Sequence, residues 1–237
     1  MQSLLSAEFL PLFLPEYYTC KRIIRSERKP PMSPSKTDPR VLRTRRLLRE
    51  ALVQLMEERG MDNFSVQELA DQATIKRATF YLHYEDKQAL LDEYIGELLQ
   101  ELRDAVSTSE ADGEGFDYLR GEPHPSFVKL FHHISDRYSV YYAMLVRNRV
   151  PQLASGMLNV IHDFVSDGMA FAQPDDSLLT ARREVAVKYA EAAILEVVIW
   201  WIEKQMPYEE RDIAAQLMNL SILGPYKVLP EQKDRPT

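Results

Sequence analysis

The chain has 237 residues, of which 45% are hydrophobic and 27% are charged, and its formal net charge is -7. This acidic balance argues against a protein that coats nucleic acid with its whole surface. The single cysteine, Cys20, excludes an intramolecular disulfide and a cysteine-rich metal site, and it favours a reducing cytoplasm. No apolar run approaches the length of a membrane span, so we expect no membrane partner.

Residues 1–35 do not have the pattern of a secretory signal, because Pro11 and Pro15 interrupt the apolar stretch and no basic segment leads it. We expect this segment to be disordered or to lie upstream of the true translation start, which we place at Met32. A basic arm that reaches a DNA groove is the functional alternative.

Basic residues are concentrated just before and within the first helical pattern. Between Lys21 and Arg49, eleven basic residues stand against only two acidic ones, Glu27 and Asp38. The overall negative charge therefore does not exclude DNA binding, since the cations lie where phosphates would need them.

Two short helices are predicted first. The first has an apolar stripe at helical spacing and an expected stop at Gly60. The stripe consists of Leu48, Ala51, Leu52, Leu55 and Met56. The second begins with Ser65 and Glu68, whose spacing is that of a capping box. Its apolar face consists of Val66, Leu69, Ala70 and Ala73.

A third helix is predicted over residues 76–83, after a turn at residues 74–75. Phe80 and Tyr84 are four residues apart and are expected to enter a small core. Cations and hydrogen-bond donors on the outer face suit a DNA major groove, where base edges are flanked by phosphates. A longer amphipathic helix follows, with apolar residues Leu90, Leu91, Tyr94, Ile95, Leu98, Leu99 and Leu102.

Residues 44–91 resemble the N-terminal DNA-binding domain of the TetR family of bacterial regulators. The most specific part is ATFYLHYEDKQALL, which has the family's Tyr-x-His-aromatic-x-x-Lys pattern at residues 81–87. The resemblance implies base contacts by Lys76, Arg77 and the backbone at Ala78. The phosphate contacts expected with it are those of Thr44, Ser65, Thr79, Tyr81, His83 and Lys87.

Three positions depart from the family pattern. Thr74 stands where the turn usually has a glycine, and we expect the turn to avoid a positive φ that would strain a threonine. Lys76 replaces a small polar residue, and Ala78 replaces another common glycine. Ordinary roles also stay open, with Tyr81 as a core aromatic and Arg77 as a solvated charge.

The rest of the chain is predicted to be helical after a loop over residues 107–126, which are rich in Ser, Gly, Asp, Glu and Pro. Pro151 is expected to begin a helix. The longest helical pattern runs over residues 178–205, and a last helix is expected over residues 209–224.

The C-terminal segment containing WWIEKQMPY resembles the end of a domain found in one branch of the TetR family. In that family the last two helices pair with those of a second subunit, which implies a homodimer. The candidate interface residues are Ala193, Val197, Trp201, Ile213, Leu217 and Leu220. The same stripes could equally pack inside one subunit.

A small apolar or aromatic effector is the expected ligand, because aromatic and methionine side chains recur in the regulatory part. The candidate pocket walls are Tyr138, Tyr141, Tyr142, Met144, Met157, Ile161, Phe164 and Trp200. Such stripes are also typical of an ordinary core, and some family members respond to a protein partner instead.

Enzyme motifs are missing from the sequence. His132, His133 and Asp136 have a helical spacing that could hold a metal, as does the pair at residues 162–163, but spacing places no third ligand. There is no glycine-rich phosphate loop and no GxSxG elbow. We therefore expect no cofactor and no catalytic residue.

These patterns predict an all-α protein, with a three-helix helix-turn-helix head (36–88), a larger helical ligand-binding and dimerisation domain (89–228) and a tail (229–237). The expected function is that of a cytoplasmic homodimeric repressor, which binds palindromic double-stranded DNA and is released by a ligand. The alternative is a helical protein-interaction co-regulator with weak or no DNA binding.

Overall fold

The computed structural model describes residues 38–107 and 122–223, and these two ranges contain nine α-helices, two short 3-10 turns and one π-helix. The described residues include no strand, so the all-α prediction is confirmed. The expectations for residues 1–35 and 229–237, and for most of the loop predicted over residues 107–126, lie outside the described residues.

Helix α1 (Pro39–Arg59) begins and ends at residues with a clear local role. The Asp38 side chain caps it by accepting a hydrogen bond from the amide of Arg40 at 2.8 Å. Gly60 follows the helix with a φ of 85°, a conformation that favours glycine. The predicted stop at Gly60 is confirmed, and a 3-10 turn (Met61–Asn63) comes next.

The predicted capping box is present at the start of helix α2 (Val66–Gln72). The amide of Glu68 donates to Ser65 Oγ at 3.2 Å, and the amide of Ser65 donates to the Glu68 carboxylate at 2.8 Å. The amide and the hydroxyl of Ser65 both donate to the Glu68 carboxylate and lower its pKa below the ordinary value. The reciprocal hydrogen bonds between Ser65 and Glu68 therefore determine that α2 begins at Val66.

Helix α3 (Arg77–Phe80) is shorter than the helix predicted over residues 76–83. Lys76 precedes it in an extended conformation, and residues 81–83 form a turn. The prediction is therefore wrong at both ends. The amide of His83 bonds to the carbonyl three residues back, at 2.9 Å, which tightens the chain and turns it toward the next helix.

Thr74 occupies the turn between α2 and α3 with a φ of 57°. This corrects the expectation that the turn would avoid a positive φ at a threonine, a conformation that is unfavourable because of its Cβ. Two backbone hydrogen bonds hold the turn, from Thr74 to Asp71 at 3.0 Å and from Ile75 to Ala70 at 2.9 Å. Packing of both helices on one core outweighs the local preference.

We expect Thr74→Gly to stabilise the folded protein by about 1 kcal/mol, because glycine adopts a positive φ without steric cost and the freer unfolded chain offsets only part of that gain. Denaturant unfolding followed by circular dichroism measures the change. Ala73→Gly is the control, since Ala73 is buried with a φ of -73° and should lose stability. A comparable loss for both variants would contradict strain at Thr74.

Helix α4 (Lys87–Val106) links the head to the remaining helices. Asp86 caps it by accepting a hydrogen bond from the amide of Ala89 at 2.8 Å. Phe80 and Tyr84 are buried beneath it, so the prediction that both enter the core is confirmed. The Tyr84 hydroxyl also donates to the Glu93 carboxylate at 2.6 Å.

The remaining elements form a bundle of helices. They are α5 (Pro125–Asp136), α6 (Tyr138–Tyr141), the π-helix (Tyr142–Arg147), α7 (Pro151–Ala172), a 3-10 turn (Asp176–Leu178), α8 (Arg183–Glu203) and α9 (Glu210–Leu223). The predicted start at Pro151 is confirmed. The long pattern predicted over residues 178–205 is only partly helical, because residues 179–182 are not in a helix and α8 begins at Arg183.

One contiguous apolar core extends from the head into the bundle. Helix α7 packs along α8, and α9 packs against α5. Helices α4 and α7 approach so closely that a β-carbon on Gly156 would lie 2.1 Å from Cδ1 of Leu99. A glycine at residue 156 thus permits the contact between the helix that leaves the head and the body of the bundle.

Candidate nucleic-acid interface

The three residues predicted to face the bases, Lys76, Arg77 and Ala78, are all exposed at the start of α3. Arg77 Nη2 lies 3.3 Å from the Tyr81 hydroxyl, and its guanidinium carbon lies 5.5 Å from the centre of the Tyr81 ring. The ring attracts the cation, so Arg77 is held along the outer face of α3. The arrangement presents a guanidinium fork beside exposed backbone.

Tyr81 is 48% exposed and is therefore not a core residue in this structure. Its ring meets the ring of buried Phe80 edge to face, with 5.4 Å between their centres. One edge of the contact is thus in the core of the head, while the rest of Tyr81 remains accessible, as a phosphate contact requires.

Three predicted phosphate contacts are serine or threonine side chains. Ser65 Oγ is engaged with Glu68, and Thr44 Oγ1 donates to the carbonyl of Arg40 at 2.9 Å. A hydroxyl has one donor and two acceptor sites, so each is already partly used within the head. Thr79 is half-buried on α3.

Lys87 is occupied more fully than the sequence suggested. Its Nζ donates to the carbonyls of Met61 at 2.7 Å and Phe64 at 2.6 Å, and it lies 4.5 Å from the centre of the Phe64 ring. An ammonium has three donors, so one is left beyond these two bonds. Lys87 fixes the segment before the cap of α2, and its remaining donor is the one that could meet a phosphate.

His83 is the last residue of the turn after α3 and is half-buried. Burial lowers its pKa below the ordinary value, and the nearby Arg45 guanidinium lowers the pKa further. A neutral imidazole can donate one hydrogen bond to a phosphate but adds no charge. The predicted phosphate contact of His83 would therefore be a hydrogen bond and not a counter-charge near pH 7.

Part of the cation excess seen in the sequence is neutralised inside the head. Arg45 pairs with Glu93 at 3.1 Å, and Arg49 pairs with Glu97 at 2.5 Å. Arg40, Arg43 and Arg46 are exposed on α1 and remain accessible to phosphates. The other basic residues of the excess, between residues 21 and 36, lie outside the described residues.

Leu82 was not singled out by the sequence, yet it is 83% exposed, beside Tyr81 and His83. Its exposure could have been predicted, because in a helix over residues 76–83 it would point away from Phe80 and Tyr84, which enter the core. An apolar side chain at this surface can contact a thymine methyl group or a sugar, but cannot donate to a phosphate.

The predicted effector pocket is closed in this structure. Four of its eight walls are fully buried in the core: Tyr141, Met144, Met157 and Ile161. The other four are half-buried or exposed: Tyr138, Tyr142, Phe164 and Trp200. These residues pack as a core in the present conformation, which is the alternative that the sequence left open.

Two buried polar atoms near these walls have no hydrogen-bond partner among the described residues, the Tyr141 hydroxyl and His133 Nε2. Their rings are adjacent, with 5.9 Å between the centres. Burial, with a smaller effect of Arg137, lowers the pKa of His133 to about 4, and burial raises that of Tyr141. A neutral imidazole and a neutral phenol therefore meet inside the apolar core.

An open cleft of about 880 Å³ lies elsewhere, between α7 and the start of α8. None of the predicted pocket walls lines it. It is lined by Arg182 and Arg183 together with Asp176 and Glu184, so its charges balance. This lining does not suit the apolar ligand expected from the sequence.

The predicted dimer residues fall into two groups. Trp201, Ile213 and Leu217 are buried inside the subunit, where the Trp201 indole donates to the carbonyl of Tyr208 at 3.0 Å. Internal packing, which the sequence left open, is what the structure shows for these three. Ala193 and Val197 are half-buried, and Leu220 is 49% exposed.

Two of the histidines weighed as metal ligands, His132 and His162, pair with carboxylates of the protein. His132 lies 3.0 Å from the Glu210 carboxylate and 3.5 Å from that of Asp136, and His162 lies 2.8 Å from the carboxylate of buried Glu191. In the part of the chain that the structure describes, no group of three or more potential ligands is arranged to hold a metal ion. None of its helices is long and apolar enough to cross a membrane.

Two protein-family models match the chain, one in the head and one in the regulatory helices. Residues 48–94 match the model of the bacterial regulatory proteins of the tetR family, and residues 121–222 match that of a transcriptional regulator C-terminal region. A curated relative, the uncharacterised HTH-type transcriptional regulator YxbF of Bacillus subtilis (strain 168), is 22% identical over 193 residues. The match covers 81% of this chain and 48% of that protein, so the chain spans about half the length of this relative.

Two solved structures share the fold. The fatty acid degradation regulator FadR of Bacillus halodurans has a TM-score of 0.56 and 17% identity, over 78% of this chain and 96% of that one. FadR of Bacillus subtilis in complex with stearoyl-CoA has a TM-score of 0.55 and 16% identity, over 76% and 99%. With a helix-turn-helix head, a helical C-terminal region and matches to both family models, the chain belongs to the TetR family of transcriptional regulators.

Proposed function

We propose that this regulator is a cytoplasmic homodimeric repressor, which binds a palindromic operator and is released by a ligand. The observation that carries the proposal is the outer face of α3, where Arg77 rests on Tyr81 beside exposed Lys76. A guanidinium that is held in place and solvent-accessible suits the two acceptors of a guanine in the major groove. We retain residues 36–88 as the DNA-binding domain and 89–228 as the regulatory domain.

Exposed apolar residues on α8 support pairing with a second copy. Val185, Tyr189 and Trp200 are 54%, 73% and 40% exposed, and their spacing places them on one face of the helix. Leu220 adds an exposed apolar side chain on α9. A monomer rarely leaves such a stripe in water, so we infer that this face packs against the same face of another subunit.

A dimer explains how specificity is reached. One head makes few base contacts, whereas two heads related by a two-fold axis read both halves of a palindrome, with half-sites about 34–36 Å apart or a multiple of that spacing. A ligand that favours a different separation of the heads then weakens operator binding by its differential affinity for the two states.

We place the effector among Tyr138, Tyr141, Tyr142 and Met144, on α6 and the π-helix. π-helical turns are frequent at functional sites, and this one is next to the unpartnered Tyr141 hydroxyl and His133 Nε2. Those two atoms could orient one polar group of an otherwise apolar molecule. An acyl chain with a polar head, as in the stearoyl-CoA of the Bacillus subtilis neighbour, is one molecule of that kind.

Tyr141→Phe is expected to stabilise the ligand-free protein by about 1 kcal/mol, because it removes a buried hydroxyl that has no hydrogen-bond partner. Thermal unfolding should show a rise of about 2–4 °C for a chain of this size. Tyr84→Phe is the control, since its hydroxyl donates to Glu93 at 2.6 Å and its removal should lower stability. A loss of stability in Tyr141→Phe similar to that of the control would show that the hydroxyl is satisfied.

Selection of bound sequences from a random DNA library tests the proposed function, with Tyr81→Ala as the control protein. We expect a palindromic consensus that the control loses, and a dimer by sedimentation. Folded dimeric protein that enriches no sequence at low salt would contradict the proposal and favour a protein-interaction co-regulator. A monomer that selects single half-sites would contradict the dimeric part alone.

A further inference from the structure

Asn148 joins the regulatory helices to the DNA-binding head through its side chain. It follows the π-helix directly and is half-buried. Its Oδ1 accepts a hydrogen bond from the amide of Met61 at 2.8 Å. Its Nδ2 donates to the carbonyls of Met56 at 3.0 Å and Ala143 at 2.6 Å. One amide group thus bonds two backbone groups of the head and one of the π-helix.

The two partners in the head lie where its backbone turns from α1 toward α2. The Met56 carbonyl is at the end of α1 and also accepts from the amide of Gly60 at 3.0 Å. Met61 begins the 3-10 turn, and the residues after it lead to Ser65, which caps α2. Lys87 holds the same turn from the other side through the carbonyl of Met61. The start of α2 is therefore positioned between Asn148 and Lys87.

On its other side, Asn148 is fixed by the end of the π-helix. Its own amide donates to the Ala143 carbonyl at 3.1 Å, the same oxygen that accepts from Nδ2. Arg149 has a φ of 49°, and the amide of Val150 reaches back to the Met144 carbonyl at 2.8 Å. These bonds tie the position of Asn148 to that of Ala143 and Met144, so a shift of the π-helix displaces the side chain of Asn148.

We propose that Asn148 is a positioning residue, through which the conformation of the π-helix sets the placement of the head relative to the regulatory helices. The proposal rests on the proposed function, since the positioned surface is the DNA-binding face. Tyr142 and Met144, two of the predicted effector walls, lie on the π-helix itself. A ligand that displaces them moves Ala143, and the two hydrogen bonds of Asn148 with Met56 and Met61 carry that movement to the end of α1 and the segment that leads to α2.

The rival explanation is that Asn148 only stabilises the fold as a cap for the end of α1. Both roles predict a loss of stability in Asn148→Ala, so stability alone does not separate them. A positioning role alone predicts that the head becomes misplaced while the regulatory core stays intact. The decisive readout is therefore the distance between the two heads of a dimer.

The test compares Asn148→Ala with Asn159→Ala, a matched change at an exposed residue of α7. Nitroxide labels at L82C in a C20S background report the distance between heads by double electron–electron resonance, because Leu82 is the most exposed of the large apolar side chains that the structure describes. We expect N159A to keep the narrow distribution of the labelled parent and N148A to broaden or shift it by several ångströms. Operator affinity, measured without labels, should fall at least tenfold in N148A only.

Hydrogen exchange provides a second measurement. In N148A the amide of Met61 should exchange at least tenfold faster, while amides in α7 and α8 keep their protection. N148D serves if N148A does not fold: it keeps the acceptor for the Met61 amide but replaces the donor with an oxygen that repels the carbonyls of Met56 and Ala143. Met61 should then stay protected while the head distance still changes.

An unchanged head distance and operator affinity in N148A, together with faster exchange at Met61, would overturn the proposal and leave Asn148 as a cap. Exchange that speeds up throughout α7 and α8 would also overturn it, because the defect would then be global. Failure of the parent protein to select any DNA contradicts the proposed function instead. The head distance in the dimer and the local exchange would still test the coupling in that case.

Discussion

Lys87→Met is expected to destabilise the folded protein by about 2–3 kcal/mol, since it removes two hydrogen bonds from a charged, half-buried donor. The lost bonds are those from Nζ to the carbonyls of Met61 and Phe64. Methionine keeps most of the apolar stem, so the change reports on the ammonium group. Denaturant unfolding gives the free energy, and operator binding measured over a range of salt concentrations gives the number of phosphates neutralised.

Lys76→Met is the matched control because Lys76 is exposed at the start of α3. It removes the same charge and should leave the free energy of unfolding nearly unchanged. If Lys87 were a phosphate contact and nothing more, the two variants would be equally stable, and Lys87→Met would only flatten the salt dependence by about 0.9 in the log–log slope. We expect both effects for Lys87, because two of its donors serve the fold and one is left for DNA.

Arg77→Ala is expected to weaken specific binding by about 1–3 kcal/mol per half-site and to relax the preference at one base pair, the cost of losing a bidentate base contact. The variant also uncovers Tyr81, whose hydroxyl and ring Arg77 contacts. A double-mutant cycle with Tyr81→Phe separates the base contact from this coupling. Repeating the library selection with each variant measures the preference directly.

Two further arginine changes sharpen the test. Arg77→Lys keeps the charge but not the planar fork, so non-specific affinity should persist while base preference falls. Arg46→Ala removes a well exposed arginine from α1, where it pairs only weakly with Glu50 at 3.7 Å, and should leave the preference intact. An unchanged consensus for Arg77→Ala would place base recognition elsewhere on the head.

Local chemistry predicted the head well. The capping box at Ser65 and Glu68 and the stop at Gly60 each depend on residues within a few positions of one another, and both are present. The bounds of α3 were wrong, and so was the expectation for Thr74, because its positive φ is imposed by the packing of two helices on a shared core. The conformational preferences of single residues do not include the effect of that packing.

Distant pairings could not be predicted from one sequence. Asn148 and Met61 are 87 residues apart along the chain, and Arg49 and Glu97 are 48 apart, yet both pairs are hydrogen-bonded. The sequence identified Arg45 and Arg49 only as cations available to phosphates. In the fold they are neutralised by α4, and no spacing rule connects α1 with α4.

The π-helix and the burial of the predicted pocket walls could not be predicted from the sequence either. Apolar spacing over residues 138–145 predicted helical structure. A pattern of that length does not distinguish an α-helix from the wider turn of the π-helix at Tyr142–Arg147. Likewise, Met144 and Met157 were candidates for both core and pocket walls. Only the assembled bundle shows that both are buried in the core.

The close contact between Gly156 and Leu99 would act as a fulcrum for α4 if the head moved relative to the bundle. Leu99 lies twelve residues beyond Lys87, so the arm from this fulcrum to the head is about 18 Å long at 1.5 Å per residue. A tilt of about 5° at the fulcrum would displace the head end of α4 by about 1.6 Å over that arm. A tilt of that size would therefore shift the head by a distance comparable to the tolerance of a hydrogen bond at a base edge.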